Sequence, residues 1–273
     1  MKANEFNYSD PQEPVEYMHE NPDITNVVFS GGDPLTMSTK DIRKFIEPFL
    51  SVDTVHSICF TTKALGWWPY RFTSENDSAE LLGYFEEIRS KKKHVSLIAH
   101  FSHPKELTTR AVRDAITVLK QANVVIRCQN PLLSGINDSP EILAELWQRQ
   151  VDLGLVPYYL FLESDSESRQ YYKIPFDKAF GIFKEAQKKV SSLSKTVQGP
   201  VIMHNAGKIL MQGILRFAGK PMFLFKHIEH PDPEMVGEQF LAESDSEITH
   251  VHQLKPVCIP SLSLSAEFEP SLV

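Results

Sequence analysis

Residues 26–34, with the sequence NVVFSGGDP, decide the fold because a short β-branched run ends directly in a glycine turn. The run predicts a strand, and the two glycines allow backbone to approach a ligand closely. Asp33 offers a carboxylate there, either to a bound ammonium group or as a cap for the following helix. The stretch therefore predicts a strand whose C-terminal end carries either a ligand site or a tight turn.

Four more apolar runs follow this strand at regular steps. They begin at residues 55, 94, 123 and 156. Starting from residue 26, the successive steps are 29, 39, 29 and 33 residues. Amphipathic stretches such as 81–88 and 111–119 lie between them, and a step of about 30 residues fits one strand with its crossover helix. The pattern predicts an α/β fold, either a partial (β/α) barrel or an open doubly wound sheet, with functional residues at strand C-termini.

The rest of the chain divides by composition. Residues 176–190 predict a helix, residues 199–225 predict mixed short strands and turns, and residues 256–273 are rich in Pro and Ser. We therefore expect a partial (β/α) barrel over residues 1–195, a C-terminal segment with appended strands over 196–255, and an extended tail over 256–273.

Charge and composition disfavour several classes of function. A net charge of −7 with mixed signs gives no basic stripe for nucleic acid, and the basic run 91–93 predicts a solvated helix end. The N-terminus has no apolar signal core, and no stretch approaches the ~18 apolar residues of a membrane span, so we expect a cytoplasmic protein without a membrane partner. Cys59, Cys128 and Cys258 are too widely spaced to predict a disulfide framework or a local metal motif.

Several polar residues near predicted strand ends leave two interpretations open. His100 and His103 could share a metal ion in principle, although no third ligand lies nearby in the sequence. The stretch 123–138 carries polar residues, Gln129 among them, which need either a ligand or an internal hydrogen-bonded plug. Lys208 follows a short apolar strand and is either a surface lysine or, if desolvated, able to form a Schiff base.

Five segments in this order resemble the lysine 2,3-aminomutase family of radical S-adenosylmethionine (SAM) enzymes. They are SGGDPL (30–35), HFSHPKELT (100–108), QNPLL (129–133), GIND (135–138) and VPYYLF (156–161), and the likeness extends from about residue 22 to residue 210. The resemblance implies a partial (β/α) barrel of radical SAM type and an isomerase activity. In that activity a [4Fe-4S] cluster, SAM and pyridoxal phosphate (PLP) move an amino group from the α to the β carbon of an amino acid.

The resemblance also implies roles for individual residues in binding SAM. Gly31, Gly32 and Asp33 match the segment that holds the methionine end of SAM, and Gln129 matches a residue beside the cofactor. Lys63, at the end of the second strand, matches a basic residue that could neutralise a carboxylate or phosphate.

Further residues match the family's PLP and substrate positions. Lys208 matches the lysine that forms a Schiff base with PLP, and His100 and His103 match a segment expected to position cofactors at the barrel mouth. Ser164 and His204 stand near the two acidic positions that hold the side-chain ammonium of lysine, with Asp165 one residue out of register. The neutral pair disfavours lysine as the substrate and leaves glutamate or another amino acid open.

The chain departs from the family pattern because it has no CxxxCxxC motif for the iron–sulfur cluster. The resemblance places that motif before the segment that matches residues 1–25, so one hypothesis is an N-terminally truncated aminomutase that lacks a first strand and is inactive by itself. A second is a degenerate barrel that binds PLP or an amino acid without radical chemistry. A third is an unstable fragment with an exposed strand edge. A homo-oligomer is compatible with all three.

Overall fold

The computed structural model describes residues 12–162, 171–204 and 207–257, and its centre is one ten-stranded sheet with the strands in sequence order. The strands are β1 (Asn26–Phe29), β2 (Ser57–Thr62), β3 (His94–His100), β4 (Val125–Leu132), β5 (Val156–Leu162), β6 (Gln198–His204), β7 (Gly207–Phe217), β8 (Lys220–Glu229), β9 (Gln239–Glu243) and β10 (Pro256–Val257). Strands β1 to β6 are parallel, and β6 to β10 pair antiparallel. Within the described residues β1 and β10 are the two edges, so the sheet does not close.

Seven α-helices accompany the sheet in the described ranges. They are α1 (Gln12–Glu20), α2 (Thr39–Leu50), α3 (Ala64–Trp67), α4 (Ser78–Ser90), α5 (Arg110–Gln121), α6 (Pro140–Asp152) and α7 (Phe176–Lys188). Helices α2, α5 and α6 begin where the side chains of Ser38, Thr109 and Ser139 accept backbone N–H bonds. The prediction of a mixed α/β fold built as a partial barrel is confirmed.

The helices cover one face of the sheet. Phe60 on β2 packs against Phe85 on α4 with ring centroids 5.6 Å apart, and Leu97 on β3 is fully buried on the same face. Each such side chain stabilises the fold by roughly 1.5–3 kcal/mol when buried. The core therefore lies between sheet and helices, which leaves the opposite face of the sheet, here called the inner face, able to carry polar residues.

Polar residues occupy the inner face in register. His100, Gln129 and Tyr159 are successive partners on β3, β4 and β5 and so share one row across the sheet. On β5, Phe161 lies two residues after Tyr159 and pairs with Val201 on β6. Met203 lies two residues after Val201 and pairs with Lys208 on β7. Because side chains alternate along strands, Lys208 projects from the same face as the His100 row.

Strands β7 and β8 form a long hairpin whose two-residue turn is Ala218–Gly219. Both turn residues have positive φ, 50° and 81°, as in the type I′ turns that match the twist of antiparallel strands. The expectation of mixed short strands and turns over 199–225 is therefore wrong. Gly213 does not end a strand but lies at a register shift, where a bulge lets β7 continue.

The expectation of a solvated helix end at residues 91–93 is wrong for Lys93. Its side chain is buried, and Nζ donates hydrogen bonds to the backbone oxygens of Val52 and Val55, both at 2.7 Å. Only Lys91 and Lys92 are exposed. Lys93 is buried because its long stem covers apolar surface while its ammonium donates to two backbone carbonyls of the turn between α2 and β2.

Arg71, in the segment after α3, is 1% exposed and fixes the chain that follows β1. Its Nε donates to the backbone oxygen of Leu35 at 2.9 Å and its Nη1 to Asp77 Oδ1 at 2.9 Å. Asp77 in turn accepts from the backbone nitrogen of Thr39 at 2.7 Å. This ion pair stabilises the loops that carry the candidate residues after β1 and β2.

No helix in the described ranges is long and apolar enough to cross a bilayer.

Candidate functional site

Three polar side chains meet at the C-terminal ends of β2 and β3, namely Lys63, His100 and Ser102. Lys63 Nζ donates to Ser102 Oγ at 3.4 Å, and Ser102 Oγ lies 3.2 Å from Nε2 of His100. A hydroxyl, an ammonium and an imidazole converging at one strand end can donate hydrogen bonds to an anionic group such as a carboxylate. The structure thus places Lys63 beside His100, as expected for residues at the C-terminal ends of adjacent parallel strands.

Asp33 is engaged with the protein itself. One carboxylate oxygen accepts from the backbone nitrogens of Lys63 at 2.7 Å and Ala64 at 2.9 Å, and the other accepts from Leu35 N at 3.1 Å. Both oxygens also accept from the hydroxyl of Thr62. The carboxylate therefore caps α3 and the turn after β1 together, which corresponds to the capping interpretation of the sequence.

The two glycines before Asp33 leave the surface of this loop open. Gly31 has φ +116°, a conformation that L side chains rarely adopt, and a Cβ built on Gly31 or Gly32 would meet no atom within 4 Å. The space above the loop is thus accessible to a ligand, which could receive hydrogen bonds from backbone N–H groups there.

His103 and Glu106 stabilise the loop after β3. His103 Nδ1 accepts from the backbone nitrogen of Lys105 at 3.2 Å, and Glu106 Oε1 accepts from the backbone nitrogens of Ser102 and His103, both at 2.7 Å. This is a capping box, in which His103 is a structural cap of the short 3-10 helix Pro104–Leu107. Within the described residues no group of three or more His, Cys, Asp or Glu side chains is arranged to hold a metal ion.

Asn137 connects the loop after β4 to the loop after β3 at the C-terminal ends of the parallel strands. Its side chain is buried, donates to the backbone oxygens of Ser102 and Pro131 at 2.8 Å each, and accepts from Leu133 N at 2.7 Å. In the sequence, Asn137 is distinguished only as part of the GIND segment (135–138). The stretch 123–138 is therefore in part an internal hydrogen-bonded plug, one of the two options for its polar residues.

Lys208 is a partly sheltered lysine on the inner face. Its side chain is 20% exposed, its Nζ donates to Glu229 Oε1 at 2.6 Å, and it lies 5.4 Å from the ring centre of Tyr159. Burial raises the pKa of Tyr159, followed by its hydrogen bond with Tyr158, so the phenol stays neutral. Sequence reasoning missed Glu229, because cross-strand register, not sequence proximity, brings it to Lys208.

Gln129 lies in the row between His100 and Tyr159 and is half-buried. Arg127, two residues earlier on β4, projects from the same face with its guanidinium carbon 5.2 Å from the ring centre of Tyr158. The inner face thus combines aromatic rings with donors that could surround a planar anionic ligand.

His204 ends β6 near a second histidine. Its ring centre is 6.4 Å from that of His227, and burial, followed by the proximity of His227 and His230, lowers the pKa of His204 below its ordinary value. The imidazole is therefore neutral at neutral pH. Ser164 and Asp165, the other residues expected to bind substrate, lie outside the described residues.

The cysteines of the described segments do not fit a [4Fe-4S] cluster. Cys59 on β2 and Cys128 on β4 are buried, and they are separated by the intervening strand β3 and by three positions along it, which places them more than about 10 Å apart. Burial raises the pKa of both thiols, whereas a cluster ligand must be a thiolate. Cys258 lies outside the described residues. The space above the glycine loop is open to a ligand, and Lys208 offers a partly sheltered primary amine, the group through which enzymes bind PLP.

Comparisons with curated protein sequences agree on one family. The chain is 30% identical over 238 residues to a putative L-lysine 2,3-aminomutase of Aquifex aeolicus, covering 87% of this chain and 62% of that protein. It is 30% identical over 169 residues to L-lysine 2,3-aminomutase of Fusobacterium nucleatum, and 27% identical over 166 residues to glutamate 2,3-aminomutase of Clostridioides difficile. These alignments cover 62% and 61% of this chain and 37% of each relative, so the chain spans less than two thirds of these proteins.

Two other comparisons add little. No protein-family profile matches the chain. Among solved structures, a domain of pyruvate-formate lyase-activating enzyme from Bacteroides vulgatus aligns over 64% of this chain and all of its own length, with 13% identity and a TM-score of 0.38.

Proposed function

The chain belongs to the lysine 2,3-aminomutase-like radical SAM family, and on that basis we propose that it binds PLP at Lys208 and SAM above the loop of Gly31, Gly32 and Asp33. The proposed activity is a 1,2 shift of an amino group on an amino acid. The observation that supports it is a sheltered lysine amine on the inner face, which also carries His100 and Gln129.

The chain's own residues have separate tasks in this proposal. Lys208 would hold the cofactor through its amine, and the ring of Tyr159, 5.4 Å from Nζ, would limit the access of water to it. When bound, PLP would supply a conjugated ring that stabilises an unpaired electron or a charge on the substrate carbon next to the amino nitrogen. Lys63 and His100, joined through Ser102, bind an anionic group at the barrel mouth.

The backbone N–H groups of Gly31 and Gly32 contact SAM in this proposal, while Asp33 positions them through the turn that it caps. Gln129 binds beside the cofactor in the row between His100 and Tyr159. His103 acts through the capping box, because its Nδ1 is already used by the backbone of Lys105.

The substrate that fits best is an amino acid without a second ammonium group. His204 stands near a position where the family resemblance expects an acidic residue, and its lowered pKa leaves it neutral at neutral pH. His204 also follows Met203, the partner of Lys208, and so projects from the opposite face of the sheet, and a neutral imidazole does not attract the side-chain ammonium of lysine as a carboxylate would. Ser164 and Asp165 are proposed to contribute to the same recognition.

The cysteine geometry favours a second candidate function, namely a barrel that binds PLP and an amino acid without radical chemistry. Cys59 and Cys128 do not fit a cluster, so we derive no step through one. The candidates differ in one observable. A binding module changes the absorbance of its bound PLP when an amino acid is added, but forms no β-amino acid under anaerobic conditions with SAM, iron, sulfide and a chemical reductant, whereas an aminomutase forms one.

The test of the shared part of both proposals is covalent trapping. Purified protein is incubated with PLP, reduced with borohydride and digested, and the modified lysine is found by mass spectrometry. We expect the adduct at Lys208, and its loss in Lys208→Ala. Lys226→Ala is the matched control, because Lys226 lies opposite Leu210 on the same hairpin and its loss should leave the adduct intact. Equal labelling of wild type and Lys208→Ala would contradict the PLP site.

A further inference from the structure

We propose that Glu229 is the group that orients Lys208 and removes a proton from its ammonium when Lys208 condenses with an aldehyde. This inference rests on the proposed function, because it names the base for the amine that holds the cofactor. It assigns a task to a residue on β8 that neither the sequence motifs nor the comparisons indicate.

The first observation is the contact itself. Lys208 Nζ donates to Glu229 Oε1 at 2.6 Å, and the two residues are direct register partners across β7 and β8. Within the described residues Glu229 is the one carboxylate at ion-pair distance from Lys208. An oxygen this close to an ammonium hydrogen can accept the proton without further movement.

The second observation concerns the backbone that holds the pair together. Gly207 has φ +110°, and a Cβ built on it would overlap the carbonyl group of Glu229. Only glycine therefore allows the start of β7 to approach the end of β8 so closely. The glycine next to Lys208 thus fixes Glu229 opposite the amine, so the pair is preformed by the main chain.

The third observation is the exposure of the two side chains. The Lys208 side chain is 20% exposed and that of Glu229 is 50% exposed. The amine is thus sheltered while the carboxylate contacts water. A proton accepted by Glu229 can pass to solvent, which a base must allow if it is to act again.

Other titratable groups on the neighbouring strands fit this task less well. Tyr159 on β5 has a raised pKa through burial and stays protonated. His204 on β6 has a lowered pKa and is the partner of Gly207 rather than of Lys208. Lys226, opposite Leu210 on β8, is itself a cation. The carboxylate of Glu229 is thus the acceptor that contacts the amine.

The Lys208 ammonium transfers one proton to Glu229, and the freed nitrogen lone pair attacks the aldehyde carbon to form a C–N bond. The remaining two N–H hydrogens and the aldehyde oxygen leave as water, and a C=N bond forms between Lys208 and the former aldehyde carbon. No electron is gained or lost overall, so the step needs no oxidant or reductant.

The experiment measures the rate of C=N formation at Lys208 with PLP, followed by absorbance and by borohydride-trapped adduct. We expect Glu229→Gln to slow it on the order of 10²-fold, with a steeper fall in rate as the pH is lowered. Glu229→Asp, which keeps the carboxylate but shortens its reach, should restore part of the rate. Glu243→Gln, which removes the carboxylate of the exposed Lys220–Glu243 pair on β8 and β9, should match wild type.

Two outcomes overturn the inference while leaving the PLP site intact. An unchanged rate in Glu229→Gln would mean that Glu229 takes no part, and a faster rate would mean that it only holds the amine in its charged form. By contrast, wild-type protein without an adduct at Lys208 would contradict the proposed function and this inference with it. Circular dichroism of each variant shows whether it is folded, and the Glu229→Asp variant provides the comparison if Glu229→Gln does not fold.

Discussion

The carboxylate of Asp33 accepts a hydrogen bond from the backbone nitrogen of Lys63 at 2.7 Å, although the two residues follow different strands. Asp33 thereby joins the turns after β1 and β2 into one unit. The candidate SAM loop and the candidate anion-binding lysine are therefore held by a single side chain.

Replacing Asp33 with Asn should destabilise the protein by about 2–3 kcal/mol. The amide keeps one acceptor oxygen, but its NH2 group faces backbone donors at Lys63 and Ala64 or at Leu35. Urea denaturation measures the change. Asp114→Asn is the matched control, because Asp114 is exposed and pairs with Arg110 on its own helix at 3.5 Å, so it should change the unfolding free energy by less than about 0.5 kcal/mol. Equal effects of both changes would contradict the joining role.

Gly32→Ala should leave stability nearly unchanged but weaken SAM binding. A Cβ at residue 32 meets no protein atom within 4 Å, and no positive φ disfavours alanine there. Any loss of affinity must then come from contact between the new methyl group and the ligand. Calorimetric titration with SAM measures this, with thermal unfolding of the free protein as control. Unchanged affinity would place SAM elsewhere.

Asp77 should make stability depend on pH in the acid range. Burial raises its pKa, but hydrogen bonds from the Thr39 backbone and hydroxyl and the charge of Arg71 outweigh it, so the folded-state pKa lies below the usual value. Its charged form therefore stabilises the fold above the unfolded-state pKa of about 3.9, and this contribution is lost as pH falls through the folded-state pKa.

The measurement for Asp77 compares wild type with Asp77→Asn in urea at several pH values. The variant should be less stable by about 3 kcal/mol at neutral pH, because Arg71 is left buried without its counter-charge. Below about pH 4 the difference should shrink, since wild type loses the same charge. A difference that stays constant down to the acid limit would contradict this.

Gly207→Ala should destabilise the protein by more than about 1 kcal/mol, while Gly213→Ala on the same strand should have little effect or stabilise slightly. Residue 207 has positive φ and lies against the Glu229 backbone, whereas a Cβ at residue 213 meets nothing within 4 Å. Thermal unfolding of the two variants tests this directly. Similar melting temperatures would mean that β8 shifts away without cost.

The parallel half of the fold could be predicted from the sequence because its signals are local. Strands β1 to β5 are short apolar runs, and the helices between them repeat apolar residues every three to four positions. The C-terminal hairpin could not, because Gly207, Gly213 and Gly219 suggest turns and only Gly219 lies in the hairpin turn. A glycine at a bulge and a glycine in a turn have the same sequence signal.

The site was predictable in part. The positions of Lys63 and His100 followed from the rule that parallel strands end at one edge. The partner of Lys208 was not predictable, because Glu229 is 21 residues away and is brought near only by the register of β7 and β8. The sequence left the task of Asp33 open between a ligand contact and a cap, and the structure shows the cap, while its contact with SAM stays a prediction.

The Ala218–Gly219 turn offers an experimental handle. Nine steps along β7 separate Lys208 from Phe217, which corresponds to about 30 Å of extended chain. A fluorophore or a surface tether attached at the turn would therefore lie far from the amine while remaining on the same β7–β8 hairpin. Such a probe could report whether the hairpin moves as a unit when the cofactor binds, without disturbing the chemistry at Lys208.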